Sequence, residues 1–128
     1  MQEELSRDDP LTREVIGAAI EVHKALGPGL LESAYEACLA KELSLRGLRV
    51  ERQVEIKLEY KGEQLDCVYR IDLLVEGKVL LEIKSAEKLL PIHDAQVLTY
   101  LRLTGLKTAL LLNFNTAYLR DGIKRLSM

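Results

Sequence analysis

Two short runs of branched apolar residues that meet at a glycine constrain the fold of this chain more than any other feature. The runs cover residues 69–75 and 78–84 and flank Glu76-Gly77, so they predict two antiparallel strands joined by a tight connection. The first strand carries Asp72 and the second carries Glu82, with nine residues between them. Because side chains alternate between the two faces of a strand, the length of the connection decides whether these acids share a face.

The connection between the two strands has two alternatives. A two-residue turn at Glu76-Gly77 would place Asp72 opposite Leu81, and Glu82 would then point to the other face. A three-residue connection that also includes Lys78, or a bulge further along, would place Asp72 opposite Glu82. A site that uses both acids therefore requires the irregular hairpin.

Lys84 adds a positive charge to this pair of acids. It lies two residues beyond Glu82 and shares its face in either register. Two carboxylates and an ammonium group on neighbouring strands can hold a hard divalent cation beside a phosphate, and oxygen ligands favour Mg²⁺ or Mn²⁺ over zinc, copper or iron. The structural alternative is a salt bridge from Asp72 to Lys84 or Arg70.

The acids and the lysine resemble the signature of a known superfamily. Asp72 followed by Glu82-Ile83-Lys84 looks like the PD-(D/E)XK nuclease signature, with Arg70-Ile71-Asp72 standing where that motif has its Pro-Asp. Downstream, Gln96 and Tyr100 form a Q-x-x-x-Y pattern similar to that of the superfamily's exonuclease branch. The resemblance predicts a nuclease-like protein.

A further motif narrows this resemblance. Gly29, Glu32 and Tyr35 reproduce the G-x-x-E-x-x-Y pattern of the GxxExxY family, a group of small bacterial and archaeal proteins placed in the same superfamily. With the order of predicted elements, the resemblance covers residues 11–127. It implies an α/β fold with a restriction-endonuclease-like αβββαβ core, a mixed sheet flanked by helices and an N-terminal helical hairpin.

The resemblance also implies a metal site and an activity. Asp72, Glu82 and the Ile83 carbonyl would hold Mg²⁺ or Mn²⁺, and Glu32 would help directly or through water. The implied reaction is metal-dependent hydrolysis of phosphodiester bonds in nucleic acid, either DNA or RNA.

Lys84 and Gln96 complete the implied catalytic set with the two acids. Lys84 would position or activate the nucleophilic water and stabilise the charge that develops on phosphorus, and Gln96 would orient the substrate. Tyr35 and Tyr100 would support the site. The alternative is a surface glutamine beside a core tyrosine at Gln96 and Tyr100, and a packing residue whose hydroxyl finds a partner at Tyr35.

Three further polar residues lie near these motifs. Glu36 follows Glu32 by one helical turn, where a solvated face is the default, and a role for Glu36 is left open. His93 is expected to be a local hydrogen-bonding group near a helix start, and His23 a structural residue on an apolar stripe.

Hydrophobic periodicity predicts the order α-α-β-β-β-α-β-β. Helices are expected at residues 11–26, 30–46 and 91–104, and strands at 49–60, from about 63 to 75, at 78–84, at 107–113 and after a turn at 120–124. Thr12 would cap the first helix. The buried stripe of the second helix would contain Leu31, Ala34, Tyr35, Cys38, Leu39, Glu42 and Leu45.

Length and composition predict one compact cytoplasmic domain. The chain has 128 residues, 48% hydrophobic and 30% charged, and contains no apolar run long enough for a membrane span. Residues 1–10 are expected to form an acidic tail and residues 11–128 a single domain. Cys38 and Cys67 are isolated and are expected to be buried reduced thiols.

The competing hypothesis is a nuclease-like fold that serves as a binding or assembly module. A net charge of −2 disfavours strong sequence-independent binding to nucleic acid, and a module of this kind would act through a homodimer or a protein partner. An open convergence of Asp72, Glu82 and Lys84 would favour the enzyme, whereas a closed salt-bridge cluster would favour the module.

Overall fold

The computed structural model describes residues 9–128, except the side chain of Cys67. The helices in this range are α1 (Pro10–Leu26), α2 (Glu32–Leu45) and α3 (Pro91–Thr104), and the strands are β1 (Val50–Tyr60), β2 (Glu63–Val75), β3 (Val79–Lys84), β4 (Thr108–Asn113) and β5 (Ile123–Ser127). A 3₁₀ turn at Leu119–Gly122 precedes β5. The predicted order of elements is confirmed. Residues 1–8, which make up most of the predicted tail, lie outside the described residues.

The strands form one sheet in the order β1-β2-β3-β4-β5. β3 and β4 pair in parallel and are connected through α3, whereas the other neighbours pair antiparallel. α1 and α2 cover one face through a core that includes Leu39 and Leu81, and α3 covers the other through Leu80 and Val97. The predicted α/β class, with a mixed sheet flanked by helices, is therefore confirmed.

α1 begins one residue earlier than predicted and has a different cap. The carboxylate of Asp9 accepts hydrogen bonds from the Leu11 amide at 3.1 Å and from the Thr12 hydroxyl at 2.8 Å. Thr12 is therefore not the cap, and it is instead a buried donor in the first turn. Pro10 fits the first helical position because its missing N–H leaves no hydrogen bond unmade there.

The buried stripe of α2 is shifted from the predicted one. Its buried residues are Tyr35, Glu36, Leu39, Ala40 and Leu43. Leu31 is 79% exposed and Leu45 is 69% exposed, so their assignment to the core was wrong. The helix packs against both α1 and the sheet, and this broad contact also buries the side of the helix that carries Glu36.

The hairpin between β2 and β3 has the irregular connection. Val75 pairs with Val79, which leaves the three residues 76–78 as the connection. Glu76 and Gly77 have positive φ angles of 54° and 63°, and the Lys78 amide donates to the Val75 carbonyl at 2.9 Å. The three-residue alternative is confirmed.

β1 and β2 continue beyond the end of the ladder between β2 and β3 as a two-stranded arm, residues 54–71. The two faces of the arm reverse at Gln53 and Asp72, which lie opposite each other but are skipped in the ladder between β1 and β2. Leu73 belongs to the core beneath α1 and α2, whereas Ile71, two residues earlier, belongs to the core beneath α3. Regular alternation would keep both side chains on one face, so the irregular rung directs the arm toward α3.

Residues at the end of β4 form hydrogen bonds with Lys84 and the segment that follows it. The Phe114 amide donates to the Lys84 carbonyl at 2.9 Å. The buried Asn113 side chain accepts from the Ala86 amide and donates to the Ala86 carbonyl, both at 3.0 Å. A Cβ atom at Gly122 would lie 2.2 Å from the Asn113 carbonyl oxygen, so only glycine fits beneath this strand end.

The substitution Gly122→Ala is expected to lower the free energy of unfolding by about 2 kcal/mol or more, because the main chain must move to admit the methyl group. Gly17→Ala is the control, since its Cβ would meet only the flexible end of Arg46 at 3.2 Å. Alanine favours the helix there by about 0.5–1 kcal/mol. Urea unfolding measures both variants. Equal stability of the two would contradict the packing of Gly122 on β4.

Candidate functional site

Asp72 and Glu82 meet where the ladder between β2 and β3 ends. The last pair is Leu73 with Leu81, and one further step in this register places Asp72 opposite Glu82. The Asp72 amide donates to Oε1 of Glu82 at 3.1 Å, and the Ile83 amide donates to Oδ2 of Asp72 at 2.8 Å. Each carboxylate therefore takes a main-chain hydrogen bond from the opposite strand.

Both carboxyl groups hold their protons more tightly than usual. Glu82 is 4% exposed, and burial, followed by the charge of Asp72, raises the pKa of its carboxyl from 4.5 to about 8. Burial also raises the pKa of Asp72, by more than the hydrogen bond from Ile83 lowers it. The surrounding protein does not supply enough positive charge to ionise the pair fully at neutral pH.

The positive charge of Lys84 acts on both acids. Its charge lowers the pKa of both Asp72 and Glu82, but less than burial raises them. Lys84 is half-buried, and none of the ion pairs within residues 9–128 joins it to either acid. Asp72 therefore lacks the salt bridges to Lys84 and Arg70 that were the structural alternative, and Arg70 pairs with Glu55 instead.

Glu36 is closer to the acidic pair than the sequence indicated. It is 7% exposed and accepts hydrogen bonds from Nε of Arg52 at 3.1 Å and from Nε2 of Gln53 at 2.6 Å. The same Gln53 amide reaches Oδ1 of Asp72 at 3.3 Å, and the charge of Glu36 raises the Asp72 pKa. The default of a solvated face at Glu36 was wrong, because α2 lies against β1 here.

Glu32, by contrast, is exposed on the first turn of α2. Its charge raises the pKa of Glu82, although it is the smallest of the named contributions. No three histidine, cysteine, aspartate or glutamate side chains within residues 9–128 are gathered as a ready metal site. The structure thus brings Asp72 and Glu82 together and leaves Glu32 at the margin.

Gln53 also contacts the acids of the site, and nothing in the sequence indicated this. It lies in the polar half of the alternating pattern of β1, where a glutamine attracts no notice. Its φ angle is 52°, a left-handed conformation that costs a non-glycine residue about 1 kcal/mol or more. This strained backbone aims the amide between Glu36 and Asp72. No signal in the strand pattern could have identified it.

Tyr35 holds the loop that leads into α2. Its hydroxyl donates to the Gly27 carbonyl at 2.6 Å and accepts from the Leu30 amide at 3.1 Å. Its ring stacks on Phe114 at 4.4 Å between centroids. Tyr35 is therefore the packing residue with a bonded hydroxyl that was the alternative, and it positions the turn before Glu32.

Gln96 and Tyr100 lie on α3, and Tyr100 packs in one core with Ile71 and Leu80 of the two strands that carry the acids. Nε2 of Gln96 donates to the Tyr100 hydroxyl at 3.2 Å. Burial, followed by the charge of Glu82, raises the pKa of Tyr100, and Asp72 contributes in the same direction. The Q-x-x-x-Y motif therefore borders the site, although neither side chain contacts an acid through a hydrogen bond in the described part of the chain.

The remaining candidates have local roles. Nδ1 of His93 accepts from the Leu90 amide at 3.0 Å at the start of α3, as predicted. Nε2 of His23 lies 2.9 Å from the Thr116 carbonyl, which confirms a structural role. Cys38 is free and half-buried, and the side chain of Cys67 lies outside the described residues.

The donor set of the acidic pair fits a hard divalent cation. Asp72 and Glu82 supply carboxylate oxygens whose pKa values are raised chiefly by burial, and a bound cation would favour their charged forms. The Ile83 carbonyl points to the same side of β3 as the Ile83 amide, which reaches Asp72. Three oxygens from the protein leave room for water, as Mg²⁺ prefers.

The raised pKa of Glu82 predicts an unusual pH dependence of stability. The folded protein binds the Glu82 proton more tightly than the unfolded chain, where glutamate titrates near 4.5. The resulting stabilisation is fully present below about pH 4.5 and is lost as the pH rises through about 8. Without metal, the free energy of unfolding of the wild type should fall across this range by on the order of a few kcal/mol relative to that of Glu82→Gln. Urea unfolding at several pH values measures this effect. A difference between the two proteins that stays constant with pH would refute the prediction.

A related prediction separates Asp72 from an ordinary salt-bridge partner. Asp72→Asn removes the charge that raises the Glu82 pKa, while the amide oxygen still accepts from Ile83. The Glu82 pKa should fall, and the metal-free variant should match or exceed the wild type in stability at pH 8. NMR titration and urea unfolding measure the two effects. Destabilisation by about 1–3 kcal/mol would instead indicate a structural ion pair.

Comparison with a solved structure supports the fold. No helix among residues 9–128 is long and apolar enough to cross a membrane. The crystal structure of SSO0001 is similar in fold, with a TM-score of 0.52 and 21% sequence identity. The similarity covers 95% of this chain and 59% of the SSO0001 chain, so this chain spans less than two thirds of that protein. No curated protein matches the chain.

The sequence itself identifies the family. The model of the PD-(D/E)XK nuclease superfamily matches residues 9–126, which include all the helices and strands except the last residue of β5, and the three residues Asp72, Glu82 and Lys84. The chain therefore belongs to the PD-(D/E)XK nuclease superfamily.

Proposed function

We propose that this protein is a metal-dependent nuclease that hydrolyses phosphodiester bonds of nucleic acid at Asp72 and Glu82. One observation carries the proposal. Two carboxylates converge in a partly dry site, held by main-chain amides, and no cation within residues 9–128 forms an ion pair with them. Purely structural carboxylates in such a place are normally paired, since an unpaired buried charge is costly.

The proposed cation site uses residues of β2 and β3. Asp72, Glu82 and the Ile83 carbonyl would hold Mg²⁺ or Mn²⁺, and Glu32 would contribute through water because it is exposed at the margin of the site. The cation supplies positive charge and Lewis acidity to a phosphate oxygen when it is bound. With a cation held there, Asp72 and Glu82 would repel each other less and both would ionise at neutral pH.

Lys84 and Gln96 act on the substrate in this proposal. The Lys84 ammonium is free of ion pairs within the described range, so it can position the attacking water and stabilise the negative charge that develops on phosphorus. Gln96 would orient the substrate from α3, with Tyr100 holding its amide. Tyr35 supports the site by fixing the loop before α2.

We further propose membership of the GxxExxY family within the superfamily. The pattern of Gly29, Glu32 and Tyr35 supports it, because each of these three residues has a role in the turn before α2. Gly29 has a φ angle of 98°, which only glycine adopts readily, and the Tyr35 hydroxyl bonds the loop on both sides of it. The turn then delivers Glu32 to the start of α2.

A second candidate function is a binding or assembly module without catalysis. Glu36, a buried acid whose charge raises the Asp72 pKa, is bonded to Arg52 and Gln53, so among residues 9–128 it does not add a free carboxylate to the site. Several surface cations are also neutralised, among them Arg46 by Glu14. In this alternative a homodimer or a protein partner would replace nucleic acid as the main contact.

Cleavage assays with single-stranded and duplex DNA and RNA distinguish the two candidates. Wild-type protein with Mg²⁺ or Mn²⁺ should cleave at least one substrate, and Lys84→Ala and Glu82→Ala should each reduce the rate by about 100-fold or more. Lys88→Ala, an exposed lysine four residues further along, is the matched control and should retain the rate. Identical behaviour of wild type and both site variants with either metal would reject the nuclease.

Metal binding can be tested without turnover. Glu82→Gln nearly preserves the shape of the side chain but removes a charged ligand, so Mn²⁺ affinity should fall by about tenfold or more. Thermal melting should show metal stabilising the wild type more than the variant. Glu87→Gln, an exposed glutamate in the following loop, is the control. Equal metal-induced shifts for all three proteins would remove Glu82 from the metal site.

A further inference from the structure

An apolar groove runs between the arm and α3, next to the candidate active site. Leu58 and Tyr69 line it from the arm, and Ile92, Gln96, Tyr100 and Leu103 are among the residues that line it from α3. The cavity measures about 290 Å³. Ile92 is 66% exposed and Leu103 41% exposed, so this face of α3 is not covered by the arm.

The groove lies next to the strands that carry the acidic pair. Gln96 and Tyr100 belong to its lining and are joined by a hydrogen bond of 3.2 Å. Tyr100 also packs in the same core as Ile71 and Leu80, which lie on the strands of the two acids. Tyr69 precedes Asp72 by three residues. A molecule in the groove would therefore lie beside the strands that carry the carboxylates.

The chemistry of the lining suits a flat ring with a polar edge. Tyr69 is 47% exposed and its ring is tilted by 52° from that of Tyr100 at 6.2 Å, so part of its surface is open for stacking. The Gln96 amide uses one N–H on Tyr100 and keeps a second N–H and an acceptor oxygen, the combination that pairs with the edge of a base.

The size of the groove favours a small group over a protein. A volume of about 290 Å³ lies at the lower end of small-molecule sites, whereas a stable protein interface buries about 800 Å² on each partner. The apolar face of a partner helix would also offer no hydrogen-bonding group to the second N–H and the oxygen of the Gln96 amide. A nucleobase satisfies both the apolar walls and the polar group.

We propose that this groove binds the base of the nucleotide next to the scissile phosphate, so that the protein acts on unpaired strands. The inference rests on the proposed nuclease function. A base inside a duplex is stacked on both faces and its pairing edge is occupied, so it reaches the groove only when the strand is single or locally opened. Stacking on Tyr69 supplies affinity for any base, because every base has a flat aromatic face.

Binding is measured first, with Ca²⁺ in place of Mg²⁺ to prevent turnover, on DNA and RNA oligonucleotides that carry 2-aminopurine. Stacking in the groove should quench the 2-aminopurine fluorescence. Tyr69→Ala should weaken single-strand binding by about tenfold and remove the quenching. Tyr60→Ala is the matched control because Tyr60 is 62% exposed at the tip of the same arm and does not line the groove. Equal affinity and quenching in wild type and Tyr69→Ala would overturn the proposal.

Cleavage gives the second measurement. A single abasic position next to a mapped cleavage site should reduce wild-type cleavage there by about tenfold, and Tyr69→Ala should add little to that loss. If cleavage depends on Glu82 but proceeds equally on duplexes and abasic strands, the nuclease function is supported and the base pocket is rejected. If no substrate is cleaved, the nuclease function is rejected, and the fluorescence result alone decides whether the groove binds a base.

Light scattering tests whether a second copy of the chain occupies the groove instead of a base. A Tyr69→Ala variant that changes from dimer to monomer, with unchanged oligonucleotide binding, would show that the groove is an interface between copies and would overturn the proposal. A wild type and variant of equal mass, with the loss of quenching described above, would support the base pocket.

Discussion

The hydrogen bonds from the Asp72 amide to Glu82 and from the Ile83 amide to Asp72, at the end of the β2–β3 ladder, are the constraint on which the site depends. In a continued sheet these two amides would bond to main-chain carbonyl groups of neighbouring strands. They bond to the two carboxylates instead, at 3.1 Å and 2.8 Å. Main-chain donors thereby hold both acids in position, and no cation within residues 9–128 forms an ion pair with either of them.

A second irregularity, in the ladder between β1 and β2, shapes the surface beside the acids. The rung of Gln53 and Asp72 is skipped there, and beyond it the faces of β1 and β2 reverse, so that Ile56 and Ile71 pack toward α3. On this stretch the ring of Tyr69 lies 6.2 Å from that of Tyr100. Asp72 takes part in both irregularities, so the carboxylate pair and the apolar groove follow one another along β2.

The supporting residues act on the ends of the elements that carry the site. Tyr35 fixes the loop before α2, and Asn113 fixes the segment after Lys84 through two hydrogen bonds to Ala86. Both are buried polar side chains that bond to main-chain groups, which would otherwise be unsatisfied. The positions of the chemically active groups are therefore determined by contacts at some distance from them.

Sequence alone determined the order of the elements, the hairpin and the residue types of the site. Alternating and helical periodicities arise from local geometry, so they located the strands and helices within a few residues. Spacing around Glu76-Gly77 reduced the arrangement of Asp72 and Glu82 to two registers. Sequence could not choose between them, because the choice depends on how three residues fold against neighbouring strands.

Only the tertiary structure decided which further groups join the acids. Glu36 lies on the helix side that a single-helix pattern treats as solvated, but α2 meets both α1 and the sheet and buries it. Gln53 enters through a left-handed backbone at φ 52° that no strand propensity predicts. Burial and charge at Glu82 likewise depend on residues distant in sequence. These properties arise from contacts between elements, and a linear pattern records only the tendencies within each element.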